Sequence, residues 1–238
     1  MMRILTVLLL SFIAASCNRI CPPTYPEELI PCTEELIPCT EEPIPYTYEG
    51  IPKPSVALIS VIDSSDYYVP WHLDQELSDT LRYQLMYNGN VFLQPEGEVS
   101  NIAQNIRSSD YFSTDLEFTR QFQQVNYLVA LELIEHALVP FEREKVSACF
   151  PAQSARCSSM LQMKMRLRVI ALRSDCPRVI LQEIFTSNSM IPADAERLDY
   201  ERLRWGTPGF QSTPMAQAHK RLVRDLACRI ETVIEGLN

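Results

Sequence analysis

Residues 27–47 carry three copies of a seven-residue unit, EELIPCT, EELIPCT and EEPIPYT, and every copy contains proline. A seven-residue period is typical of coiled coils. Proline inside a helix removes a backbone hydrogen bond and clashes with the preceding turn, at a cost of about 3 kcal/mol. A coiled coil is therefore excluded here, and the folded core has to form from the residues that follow the repeat.

The wider segment of residues 17–54 is predicted to be an extended tether. It is rich in proline, and each repeat opens with two adjacent glutamates that repel one another. A polyproline II chain rises about 3.1 Å per residue, so a segment of this length reaches up to roughly 110 Å. Cys21, Cys32 and Cys39 are candidate intermolecular cysteines in an oxidising compartment. The alternative is that duplication of the unit simply copied its cysteine.

Residues 1–16 are predicted to be a secretory signal peptide. Arg3 provides a positive start, an apolar run extends from Ile4 to Ala15, and small residues end it. The run is too short to span a bilayer, which takes about 20 residues.

The sequence Ala14-Ala15-Ser16-Cys17 resembles the lipobox of bacterial lipoproteins. The resemblance implies that a peptidase recognises Ala14, Ala15 and Ser16, cuts before Cys17, and that Cys17 is acylated. Each buried CH₂ of an acyl chain contributes about 0.8 kcal/mol to membrane anchoring. Asn18 stands where that class carries an aspartate as its retention signal, which favours the periplasmic side of the outer membrane. An ordinary signal peptide followed by a chance cysteine is the alternative.

The formal charge of −9 argues against nucleic acid as a partner, because nucleic-acid binding takes a basic surface. The chain has eight cysteines, which suits an exported protein. Its six glycines form no phosphate-binding loop, and no cofactor is predicted.

Residues 55–238 are predicted to form a single globular domain. A continuous apolar run at 55–62 is typical of a buried strand. A helix follows, with leucines at every fourth position from Leu73 to Leu85 and Gly89 at its end. A short strand is predicted at 91–93. Weaker helices are predicted at 99–106 and 114–124.

The second half is predicted to contain three antiparallel strands, 126–138, 160–173 and 179–191, and a closing helix at 213–236. In the middle strand apolar residues alternate with Gln162, Lys164, Arg166 and Arg168. The predicted fold class is α/β (α+β), with a mixed twisted sheet of about five strands packed by helices. Its first two strands are expected to be parallel, because a helix links them.

The order of VALISVI, a leucine-spaced helix, NGNVFLQPE and FTRQFQQVNYLVALELIE over residues 55–190 resembles the TolB amino-terminal domain group. That group includes curli-secretion lipoproteins and the lipoprotein activators of penicillin-binding proteins. The activators share the layout of lipid-bearing cysteine, Pro-rich tether and one such domain. The resemblance implies an envelope scaffold or binding domain.

No catalytic or metal site is predicted. None of His72, His136 and His219 has metal-ligand spacing to another histidine or to a CxxC pair, and hydrolase, zinc-protease and nucleotide motifs are absent from the sequence. We expect His72 on a solvated helix face, His136 at a strand end, and His219 on the basic face of the last helix.

Cys149 and Cys157 are a candidate disulfide, with free thiols as the alternative; the bond would add about 2–4 kcal/mol. Cys228 is expected in the core. Trp205 and Phe210 are candidate partner-binding residues in a Gly/Pro-rich loop, unless they fold back onto the core.

Together these features predict a non-enzymatic lipoprotein of the cell envelope, held at the membrane by Cys17, that acts as scaffold or activator of an unknown envelope protein. A binding or auxiliary component of a transport or secretion complex is the alternative. An enzyme built from scattered Asp, Glu and Cys residues is a third class.

Overall fold

A computed structural model of the chain describes residues 52–122, 124–140, 157–172, 176–195 and 198–236. These residues belong to one compact unit, Pro43–Asn238. The predicted signal peptide and all but the last three residues of the predicted tether lie outside the described residues. Within the described ranges, no helix has the length and apolar character that a membrane span requires.

One mixed sheet holds the domain together. Its strands are β1 (Ser55–Leu58), β2 (Ile62–Asp63), β3 (Phe92–Leu93), β4 (Tyr127–Pro140), β5 (Cys157–Ala171) and β6 (Arg178–Pro192). The strand order is β3-β1-β4-β5-β6, with β2 also paired to β4. The parallel pairing of β1 with β3 and the antiparallel β4-β5-β6 meander are confirmed. The sheet has six strands instead of the predicted five or so.

The run predicted as one strand at 55–62 is split into β1 and β2. Ser60 between them is exposed. The Val61 amide donates to Oγ of Ser78, at 2.8 Å. Because that amide bonds to a helix side chain instead of a neighbouring strand, pairing with β4 is interrupted and resumes at Ile62.

Three α-helices and three 3₁₀ helices are described. The α-helices are α1 (Leu73–Asn88), α2 (Glu96–Ala103) and α3 (Pro214–Glu235), and the 3₁₀ helices are Ser108–Phe112, Glu117–Phe122 and Phe210–Ser212. The helix predicted at 99–106 therefore starts earlier, directly after Pro95. The one predicted at 114–124 is a short 3₁₀ helix.

Local sequence explains the ends of the two long helices. Gly89 ends α1 at φ 75°, a left-handed conformation, and its amide donates to the Leu85 carbonyl at 3.1 Å. Thr213 caps α3 by accepting from the Ala216 amide at 3.2 Å, and Pro214 follows as the first helical residue.

The sheet has an apolar cluster on each face. In β1, Val56 and Leu58 join the cluster that includes α1 and α3. The intervening Ala57 and Ile59 join a smaller cluster with Val99 of α2 and residues of the first two 3₁₀ helices. The alternation of side chains along a strand thus places helices on both sides of the sheet.

Arg168 anchors the smaller layer from within the sheet. It is 5 % exposed, and its Nη1 donates to the carbonyl oxygens of Tyr111 at 2.9 Å and Ser113 at 2.6 Å. Burial lowers the pKa of its guanidinium. The predicted alternation in β5 is correct, but its polar face includes this buried cation.

Candidate functional site

A cavity of about 470 Å³ lies on the α1/α3 side of the sheet, where β4 ends and β5 begins. The strand register brings its walls together, because Pro140 pairs with Ser159 and Ser159 pairs with Ile191. Other walls come from Met215 of α3 and from Ala195 in the segment after β6. Most of the exposed lining is apolar, and none of the described side chains that line the cavity is charged.

Ser159 is the buried polar group of the cavity wall. It is 6 % exposed, and its Oγ has no hydrogen-bond partner. Buried polar side chains nearly always have a partner, and leaving one unsatisfied costs about 1–3 kcal/mol. The hydroxyl is therefore available to a molecule inside the cavity.

Tyr67 and Tyr200 complete the lining. Burial raises the pKa of both phenols. For Tyr200, hydrogen bonds with the Thr213 side chain and the Met215 backbone act in the opposite direction. Both phenols are neutral at physiological pH, and their surroundings disfavour negative charge.

A chain of buried polar side chains lies behind Tyr67. Nε2 of His136 on β4 is 2.9 Å from Nε2 of His219 on α3. Nδ1 of His219 is 2.8 Å from Oε1 of Glu76 on α1, and the indole Nε1 of Trp71 donates to Oε2 at 2.8 Å. Glu76, His136 and His219 are each at most 3 % exposed. The chain therefore links the sheet to both long helices through the core.

The contact between the two imidazoles restricts their protonation. A hydrogen bond between two ring nitrogens needs one donor and one acceptor, so the nitrogens cannot both carry a proton. Burial, and then the neighbouring His219, lower the pKa of His136 to about 3. Nδ1 of His136 has no hydrogen-bond partner. His136 is neutral in the folded protein at physiological pH.

Aromatic rings connect this chain to the cavity. The Tyr67 ring lies 4.8 Å from the His136 ring, centroid to centroid. Trp71 packs edge-on against Phe210 at 5.2 Å and lies 6.2 Å from Tyr200. Tyr67 and Tyr200 thus line the cavity and also pack against the chain of buried polar side chains, Tyr67 on His136 and Tyr200 on Trp71. Their positions in the cavity wall depend on these side chains.

The chemistry open to this site follows from its partners. Serine hydrolysis needs a nucleophile hydrogen-bonded to a base, but Ser159 bonds to neither histidine. In the described ranges no three or more His, Cys, Asp or Glu side chains are grouped to hold a metal ion. What the cavity offers is a neutral, mainly apolar space with one unsatisfied hydroxyl.

Two expectations about histidine were wrong. His219 does not lie on a basic, solvated face but is 1 % exposed, because it continues the buried stripe of α3. His136 does not end its strand, since β4 continues to Pro140. His72 is exposed, as expected.

Of the two candidate partner-binding residues, Phe210 is excluded as a surface contact. It is 1 % exposed and packs on Trp71, so it serves the core. Trp205 is half-buried, and its role stays a prediction. Cys228 is exposed, which contradicts the expected core position, because its helical neighbours Arg224 and Thr232 are exposed too.

The remaining cysteine predictions fall outside what the structure describes. This holds for lipidation of Cys17, for the recognition residues before it and for the tether cysteines. Cys149 and the side chain of Cys157 are also outside the described part, so their disulfide stays a prediction.

The spacing of residues along α1 and α3 could have identified the chain of buried polar side chains. Glu76 lies three residues after Leu73 and one before Leu77, on the apolar stripe of α1. His219 lies three residues before Leu222, on the stripe of α3. A polar residue on an apolar stripe indicates a buried polar group that needs a partner. No such signal marks Ser159.

Comparison with solved structures finds several similar proteins. The hypothetical protein CT253 from Chlamydia trachomatis superposes with a TM-score of 0.60 at 22 % identity, covering 76 % of this chain and 98 % of that one. For lipoprotein GNA1162 from Neisseria meningitidis the TM-score is 0.38 at 9 % identity, and the match covers 58 % of this chain and 83 % of that one. For protein XCC0632 from Xanthomonas campestris the TM-score is 0.40 at 9 % identity, and the match covers 77 % of this chain and 87 % of that one. The likeness to CT253 establishes a shared fold.

No curated protein matches the chain significantly. A family model does match, and it covers residues 43–236, which is most of the sequence and the whole of the sheet and its helices. The chain therefore belongs to the family of unknown function DUF7499.

Proposed function

We propose that the protein is a non-enzymatic lipoprotein of the bacterial cell envelope, held on the periplasmic side of the outer membrane by acyl chains on Cys17. The observation that carries the proposal is the lipobox-like sequence Ala14-Ala15-Ser16-Cys17 at the end of a short apolar run. A cysteine directly after small residues suits a lipoprotein signal peptidase. More than one acyl chain makes membrane retention stable.

The segment between Cys17 and the domain is a predicted spacer between the anchor and the folded domain. Its prolines and paired glutamates favour an extended chain. Such a tether would place the α/β domain away from the lipid surface, where it acts as scaffold or activator of an envelope complex. The partner is a protein of the envelope.

The anchor is tested by the mass of the mature amino terminus isolated from membranes. We expect diacylglyceryl mass on Cys17 in the wild-type chain. Cys17→Ala should lose that mass. Cys21→Ala is the matched control, because it removes a nearby cysteine outside the lipobox and should remain anchored. A wild-type chain with a free amino terminus in the soluble fraction would disprove the anchor.

The non-enzymatic part of the proposal is tested separately, with the purified protein and panels of hydrolase and transferase substrates. We expect no turnover. An activity that His136→Gln abolishes without unfolding the protein would overturn this part, since His136 ends the buried proton-sharing chain.

A second candidate function is a binding component of a transport or secretion complex. The cavity beside Tyr67 and Tyr200 favours it, because its size falls in the range of about 300–1,000 Å³ typical of small-molecule sites. A ligand of the native state raises the melting temperature by mass action. A concentration-dependent rise with an envelope metabolite would favour this role over a scaffold.

A further inference from the structure

We propose that the cavity lined by Tyr67, Ser159 and Tyr200 binds an uncharged, mainly apolar small molecule that carries one hydrogen-bonding group, and that this group meets Oγ of Ser159. The inference is independent of the lipid anchor, because it rests only on described residues of the folded domain.

The shape of the lining indicates an apolar ligand. Leu138, Ile191 and Met215 form walls from three different elements, and the volume of about 470 Å³ suits a molecule with two or three fused or linked rings or a short branched chain. Ile191 and Met215 are 3 % exposed, so the walls are packed from behind. A site preformed in this way loses little entropy when it is filled.

Ser159 determines the kind of polar group that the ligand carries. Its Oγ is buried and unsatisfied, although the residue itself is paired with Pro140 of β4 on one side and with Ile191 of β6 on the other. A hydroxyl both donates and accepts, so it can bond to an amine, a hydroxyl or a carbonyl of a ligand. Binding such a group would satisfy the hydroxyl and remove the cost of leaving it unpaired.

The described part of the lining selects against ionised ligands. Among the residues that the structure describes, neither a carboxylate nor a cationic side chain lines the cavity. A buried ligand charge would lose its hydration without gaining a partner. The raised pKa of both tyrosines reports the same low-polarity surroundings.

The experiment uses two fluorescent probes that differ in one charge. N-phenyl-1-naphthylamine is uncharged and has a single N–H, and 8-anilino-1-naphthalenesulfonate is a related anilinonaphthalene that carries a sulfonate. Both are titrated into the mature chain with Cys17→Ala, made without residues 1–16 and kept in buffer without detergent, so that the apolar leader, acyl chains and detergent do not compete. We expect saturable one-site binding of the neutral probe and binding of the anion weaker by about tenfold or more.

Two variants and two controls locate the site. Ser159→Ala should weaken the neutral probe about fivefold, as expected for one hydrogen bond, and should raise the melting temperature of the empty protein. Leu138→Trp should fill the cavity and abolish saturable binding. Ser189→Ala changes a buried serine outside the cavity, and Ile184→Trp adds an indole on an exposed position of β6; both should bind like the parent chain.

Three results would overturn the proposal. One is no saturable binding of the neutral probe to a folded chain. Another is equal affinity for the two probes, which contradicts an uncharged ligand. The third is unchanged binding in Ser159→Ala and Leu138→Trp when circular dichroism shows that both variants are folded, because the probe would then lie elsewhere.

Discussion

The neutral state of His136 predicts that the folded protein loses stability in mild acid. In the unfolded chain the pKa of this imidazole has its ordinary value of 6.5, and in the folded protein it is about 3. Below pH 6.5 the unfolded state therefore binds a proton that the native state does not. The resulting stability is fully present above pH 6.5 and is lost as the pH falls toward 3.

The magnitude follows from the distance between the pH and the unfolded pKa. At pH 5 the gap is about 1.5 units, and each unit corresponds to about 1.4 kcal/mol, so His136 alone removes about 2 kcal/mol of unfolding free energy between pH 8 and pH 5. His219 and Glu76, which belong to the chain of buried polar side chains, and the adjacent Tyr67 remain in the His136→Gln variant described next. The comparison thus isolates His136.

His136→Gln is the informative variant, because its side-chain amide offers both a donor and an acceptor to Nε2 of His219 and does not titrate. Urea unfolding at pH 8, 6.5 and 5 measures the free energy of unfolding of each form. Between pH 8 and pH 5 we expect the free energy of unfolding to fall by about 2 kcal/mol less in the variant than in the wild type. His72→Gln removes an exposed histidine, so its unfolding free energy should fall with pH as in the wild type. An equal dependence of unfolding free energy on pH in the wild type and in His136→Gln would refute the reasoning.

Two further predictions concern the layers and the end of α1. Arg168→Ala should lower the free energy of unfolding by about 3 kcal/mol, because the buried carbonyl of Tyr111 and the partly buried carbonyl of Ser113 lose a charged donor. Arg166→Ala breaks a partly exposed pair with Glu132 and should cost about 1 kcal/mol or less; equal losses in urea melts would contradict the assigned role of Arg168. Gly89→Ala should destabilise by about 1–2 kcal/mol, since φ is 75° there. Gly97→Ala, in open space on α2, should be neutral or stabilising, and the opposite order of melting temperatures would refute the conformational argument.

Local patterns predicted most of the fold. The leucines of α1 with Gly89, and the alternation in β5, each depend on neighbours within a few residues, so the sequence displays them directly. The parallel and antiparallel pairings followed from connection lengths. The break between β1 and β2 was missed, because it depends on Ser78, which is 17 residues away from Val61 and supplies a hydrogen bond that no strand pattern shows.

The candidate site was much less predictable. Glu76 and His219 are 143 residues apart in sequence, and only packing of α1 against α3 brings them together. For Phe210 the Gly/Pro-rich loop left both a surface position and a core position open, and only the structure shows that its ring packs beside Trp71. Ser159 is buried by residues from three other elements, which no short window of sequence contains.

The position of β1 inside the sheet has a consequence for the order of folding. β1 is the first strand of the domain, but its neighbours β3 and β4 come later, and Ser55 bonds to Asn126 across 71 residues. Closing so long a loop is entropically costly and slow. A nascent chain that ends before β4 can pair β1 only with the two-residue β3, so we expect it to stay unfolded. Such delayed folding suits a polypeptide whose first residues are predicted to direct it through a secretion channel.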